Sequence, residues 1–154
     1  MPTTKTLSRR RPRSKVVVQR AVRAAPAAAL LRKYALAASV PGSQVTLRVV
    51  GMAEGRSLNG SFRHRNHATN VLSFPYDRRH GDVVLCHPVI TQEAKEQRKP
   101  LAAHYAHLVV HGILHLRGHD HLRKSDAARM ERMETRILRR LGFGDPYLQH
   151  AAVK

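Results

Sequence analysis

The chain has one cysteine, no tryptophan and seven other aromatics, and only 10 acidic residues stand against 28 lysines and arginines. A lone Cys86 can form no internal bridge, so stability must come from a buried core. That usage fits a reducing compartment such as cytoplasm. Within Val83-Val84-Leu85-Cys86 the thiol reads as a buried structural group rather than a nucleophile. No apolar run approaches the roughly 20 residues needed to cross a bilayer. No apolar segment precedes a small-residue cleavage site, so secretion is not expected. No carboxylate occurs before Glu54. An organelle transit peptide shares that Arg- and Ser-rich composition, but residues 1–14 read better as a basic flexible arm.

The shortage of carboxylates leaves a formal net charge of +18, which a set of surface ion pairs cannot neutralise. Such a surface attracts polyanions through counterion release. The stretch Arg9-Arg10-Arg11-Pro12-Arg13 has no apolar face, which disfavours a membrane and leaves nucleic acid as the expected partner. Few aromatics means little base stacking, so phosphate contact and shape should dominate.

Sequence patterning divides 154 residues into one domain over 15–148, flanked by the arm and a short tail over 149–154. Val16 to Val18 predict a strand within 15–21, and the alanine-rich stretch Ala25 to Ala38 a helix. Val45 to Val50 alternates as a strand does. Asn59 to Asn70 reads as a loop, Val71 to Phe74 as a strand ending at Pro75, and His80-Gly81-Asp82 as a turn before a strand from Val83 to Cys86. Helices are expected over Thr91 to Arg98, Leu101 to Leu116, and Ser125 to Leu141, with Ser125 as N-cap and Gly142 as C-cap. The order predicts an α+β fold, a small mixed β-sheet with helices packed against it.

One stretch carries chemistry: His111-Gly112-Ile113-Leu114-His115-Leu116-Arg117-Gly118-His119-Asp120-His121. Two histidines four apart on a helix are offset by about 40° and lie side by side, as two ligands of one ion would. Gly118 sits where the chain must reverse for a third ligand to fold back, and His121 follows that turn. Three neutral imidazoles leave one position for water, the arrangement of a catalytic zinc rather than a structural one. His119 is the alternative third ligand, and Asp120 is either a hydrogen-bond partner for a ligand or a turn residue. His107 is a candidate partner behind the ligands, His104 is too far along the helix for the same ion, and His64, His67, His80, His87 and His150 read as surface residues. In zinc peptidases of the His-Glu-x-x-His type, a glutamate occupies the position of Gly112, so peptidase chemistry by that route is excluded.

The stretch resembles the His-Gly-x-Leu-His-Leu-x-Gly-Tyr-Asp-His motif of the YbeY family, bacterial endoribonucleases and ribosomal RNA maturation factors. Leu58-Asn59-Gly-Ser-Phe62-Arg63, followed by Thr69-Asn70-Val71-Leu72-Ser73-Phe74-Pro75, is similar to a second family segment, and Gly81 to Cys86 to a third. The resemblance covers about residues 45 to 147 and departs from the pattern at His119, where the family commonly has tyrosine. It implies a zincin-like placement of the metal helix at the centre of the fold, and one Zn(2+) on His111, His115 and His121. It further implies Arg63 and His115 as catalytic residues, the arginine facing the metal across a basic cleft as a clamp for the scissile phosphate. The implied activity is cleavage of single-stranded RNA in 16S ribosomal RNA 3′-end maturation and ribosome quality control, with the small ribosomal subunit as partner. Asp82 and Asp120 are the candidates for general base. Two rival readings are a non-catalytic assembly factor with structural zinc and a metal hydrolase of another substrate.

Overall fold

A computed structural model describes residues 12–63, 68–119 and 123–147. The elements run β1 (Lys15–Arg20), α1 (Ala28–Ala38), β2 (Gln44–Val50), α2 (Met52–Arg63), β3 (Val71–Pro75), β4 (His80–Cys86), α3 (His87–Glu96), α4 (Leu101–Leu116) and α5 (Lys124–Arg140). The four strands form one sheet in the order β1-β2-β4-β3, with β1, β2 and β4 parallel and β3 antiparallel on β4. The α+β class with a small mixed sheet is therefore present as expected.

Several boundaries differ from the sequence reading. Residues 59–63 close α2 rather than opening a loop, and α2 begins at Met52 where no element was expected. Two glycines and six polar or charged residues mask its helical period, whereas Leu58 supplies its contact with the sheet. His80, Gly81 and Asp82 belong to β4, because parallel pairing with Gln44 to Thr46 of β2 draws them into the sheet. The last helix starts at Lys124 with Arg123 at its N-cap and no side-chain cap bond, so Ser125 lies inside the helix.

The pleat sorts side chains onto two faces. Gly81, Val83 and Leu85 of β4, with Val71 and Ser73 of β3, face α4, while Leu72, Val84 and Cys86 face the cluster completed by Leu58 of α2. Cys86 is buried, as expected, and burial pushes its thiol pKa up. The larger cluster joins α1, α4 and α5 to the sheet around Tyr105, Leu114, Ile113, Met130 and Leu138. Thus α4 is the central helix, covered by the sheet on one side and by helices on others.

Gly112 is what allows α4 to lie so close. A Cβ there would meet Val83 Cγ1 at 2.8 Å, Ser73 Oγ at 3.3 Å and Val71 Cγ2 at 3.3 Å. Ser73 Oγ also donates to the Gly112 carbonyl at 3.0 Å, tying the helix to edge strand β3. No side chain, and no glutamate of the peptidase type, fits between helix and sheet here. Among the described residues no helix is long and apolar enough to cross a membrane. Gly112→Ala is expected to destabilise the fold by about 1–3 kcal/mol through overpacking. A thermal melt that matches wild type would show that α4 does not rest on the sheet in this way.

Candidate metal centre

Position along α4 brings His107, His111 and His115 onto one side of the helix, and the fold supplies a partner from α5. Glu134 is fully buried, beneath the face of α5 that carries Met130, Ile137 and Leu138. Its carboxylate accepts from His111 Nδ1 at 2.5 Å, from His107 Nε2 at 2.9 Å and from the Tyr147 hydroxyl. Ligand atoms of His107, His111 and Glu134 lie within 4.8 Å of one another, a group that could hold a metal ion.

The tautomer of His111 follows from this arrangement. An ionised carboxylate only accepts, so Nδ1 must carry the proton, and the neutral ring then keeps its lone pair on Nε2. His111 Nε2 lies 3.0 Å from His115 Nε2, with the ring centroids 4.6 Å apart. The i, i+4 pair thus meets Nε2 to Nε2 at hydrogen-bond distance, a separation that two ligands of one cation also take. A cavity of about 250 Å³ adjoins His111 on the side of α5, lined also by Ala127, Met130, Glu131, Glu134 and Tyr147 but not by His115.

The helix end is built as the glycine suggested. Gly118 has φ of +90°, its N–H donates to the His115 carbonyl at 3.0 Å, and the His119 N–H donates to the Leu114 carbonyl at 3.0 Å. This paired closure needs a left-handed residue and turns the chain back just past His115. His121 and Asp120 lie outside the described residues, as do His64, His67 and His150. Arg63 is the final residue of α2, and its side chain lies outside the described residues too. His119 is half-buried, and burial together with Arg117 and Arg129 lowers its pKa.

Other expected residues are placed elsewhere. Asp82 shares a strand with Val84 and Cys86 and points to the face opposite α4, where it accepts from the Tyr76 hydroxyl. That orientation removes it as a general base for α4. His104 is buried and meets Glu93 at 3.0 Å, and the same carboxylate accepts from Asn70 Nδ2 at 3.0 Å. Asn70, Glu93 and His104 therefore lock the start of β3 to α3 and α4. His87 is not a surface residue: it is buried, with Nδ1 2.5 Å from the Tyr105 hydroxyl, because Pro88 starts α3 earlier than expected and turns His87 inward. His80 is exposed and bonded to Asp77, as a surface histidine should be.

Sequence reading missed Glu134 and Tyr147. The signal for Glu134 was present: a carboxylate four residues after Met130 and three before Ile137 falls on the apolar side of an amphipathic helix. Nothing local marks Tyr147, which reaches the site from beyond α5.

Burial pushes the Glu134 pKa up, but the hydrogen bonds from His107, His111 and Tyr147 outweigh it and hold the group at about 2. Its folded pKa lies below the ordinary 4.5, so the unfolded chain takes up this proton first as the pH falls. Glu134 thus contributes stability that is present above about pH 4.5 and lost as the pH drops toward 2. In chelator, the unfolding free energy of wild type should fall by about 2 kcal/mol more than that of Glu134→Gln between pH 5 and pH 3. Equal losses in urea titrations of the two proteins would contradict the depressed pKa.

Comparison with known proteins agrees with this architecture. A family model described as endoribonuclease YbeY matches residues 8–142. The endoribonuclease YbeY of Aromatoleum aromaticum is 51% identical over 140 residues, covering 86% of this chain and 91% of that protein. That of Nitrosomonas eutropha is 50% identical over 126 residues, covering 80% and 89%. The solution structure of a Thermotoga maritima protein superposes with a TM-score of 0.57 at 23% identity, covering 85% of this chain and 97% of that one, a likeness of fold. With a central α4 carrying the paired histidines and a family match across nearly the whole sequence, the chain belongs to the endoribonuclease YbeY family.

Proposed function

We propose that this protein is a zinc-dependent endoribonuclease that cuts single-stranded RNA, and that it acts in the cytoplasm on the small ribosomal subunit during 16S ribosomal RNA 3′-end maturation and quality control. The observation that carries the metal assignment is the 3.0 Å approach of His111 Nε2 and His115 Nε2 with Glu134 behind His111. Two ligands of one tetrahedral zinc, each about 2.0–2.1 Å from it, stand about 3.3 Å apart. The Nε2 pair is close to that separation. The 2.5 Å contact between His111 Nδ1 and Glu134 is a direct hydrogen bond, too short to bracket an ion. In this reading His111, His115 and His121 hold the ion, and Glu134 orients His111 rather than ligating. Zinc bound there supplies Lewis acidity toward a phosphate oxygen and lowers the pKa of water.

The chain's own residues divide the remaining work. Glu134 fixes the His111 tautomer and raises its basicity as a ligand. His107 and Tyr147 hold the carboxylate in place by occupying its second oxygen. The guanidinium of Arg63 grips the scissile phosphate bidentately and stabilises charge as it develops. Gly112 puts no acid between the histidines, so a general base must come from outside α4. Glu131, an exposed carboxylate on the cavity beside His111, is so placed, and Asp120 is the other candidate. The +18 charge supports an RNA substrate over a peptide or neutral ester.

Purified protein should carry one zinc per chain, and Glu134→Gln should bind it roughly 10–100-fold more weakly while staying folded. Affinity unchanged by that substitution would place the carboxylate outside the metal's support. Folded His115→Ala and Arg63→Ala proteins should each cleave single-stranded RNA at least about 100-fold more slowly than wild type. If both cut at the wild-type rate, the catalytic reading fails and a binding role with structural zinc replaces it.

A further inference from the structure

Helix α5 buries Met130, Glu134, Ile137 and Leu138 and turns a second, opposite face to solvent. At 100° per residue, Arg129, Arg132, Arg136, Arg139 and Arg140 fall within an arc of about 100°. All five are exposed, and none makes an ion pair or hydrogen bond among the described residues. The helix dipole favours Arg139 and Arg140 in the last turn but gives no reason for the three in the body of the helix. Self-repulsion among five unpaired guanidiniums is a cost that a bound polyanion would remove.

A groove of about 730 Å³ runs along this face, where Arg132, Arg136, Arg139 and Arg140 outnumber the carboxylates of Glu131 and Asp145, with Tyr147 at its wall. Glu131 and Tyr147 also line the cavity that contains His111. The basic groove and the cavity at His111 are therefore neighbours that share two walls. The arginines span about 16 Å of helix, enough to contact successive phosphates rather than one.

We propose that the arginine face of α5 is a track for the backbone of single-stranded RNA, which it leads to the cavity at His111. This rests on the RNA-cleaving reading above. The groove suits a flexible polyanion because its cations are long, exposed and unpaired, and no aromatic other than Tyr147 lines it. Recognition there is by charge and carries no base preference.

The test uses the full chain with its metal and a fluorescein-labelled, 2′-O-methylated oligouridylate of about 15 nucleotides, a length chosen to span the groove with overhang, read by anisotropy across a salt series. The triple variant Arg132→Gln, Arg136→Gln, Arg139→Gln should bind roughly 10–100-fold more weakly, and the slope of log Kd against log salt should fall by about 2, near 0.7 for each phosphate no longer neutralised. The corresponding triple lysine variant should stay within a few-fold of wild type. Melting temperature and zinc content serve as controls for folding. Wild-type affinity and slope in the glutamine variant would overturn the track while leaving RNA cleavage intact. A lysine variant as weak as the glutamine one would also overturn it, since charge would not be the cause. Wild type that fails to bind the oligomer would instead sink the RNA reading beneath it.

Discussion

The buried carboxylate of Glu134 is the contact on which the site depends. An ionised group with no exposure to water is costly unless it is well hydrogen-bonded, and here two histidines and a tyrosine donate to its two oxygens. Each donor comes from a different position in the fold: two successive turns of α4, and the segment that follows α5. The carboxylate therefore does two things with one set of bonds. It docks α5 and the chain beyond it onto α4, and it dictates which nitrogen of His111 carries the proton. Stability and the chemistry of His111 are coupled through a single side chain.

A second constraint acts from the other side of α4. The helix must lie close enough to the sheet for Ser73 to reach the Gly112 carbonyl, and only glycine permits this. The position between the two histidines is thereby closed to any acid. A protein that rests this helix on its sheet cannot carry a base at that position and must draw one from another element.

Much of this was legible in the sequence, and for identifiable reasons. The β-branched runs over 16–18, 45–50 and 83–86 and the apolar helix over 101–116 declare themselves by local pattern, and the α+β sheet follows. His111 and His115 were visible because helical spacing alone brings their rings together, and Gly118 because a helix end needs its left-handed conformation. What stayed hidden was set by distant partners. Helix α2 is too polar to show a period and is fixed by the cluster around Leu58, Leu72 and Val84. The first residues of β4 are strand only because β2 pairs with them. His87 resembled any surface histidine until Tyr105, 18 residues later, met it in the core. Glu134 was encoded as a carboxylate on an apolar face, but which histidines it serves depends on how α5 crosses α4.

We propose that the metal sits on the Nε2 side of His111, with Glu134 as its support and not its ligand. The most direct measurement is an anomalous-scattering map from crystals of the zinc-loaded protein. It should place one ion within bonding distance of His111 Nε2 and His115 Nε2, with the Glu134 carboxylate still hydrogen-bonded to Nδ1. An ion found instead between Glu134 and His107 would contradict the account.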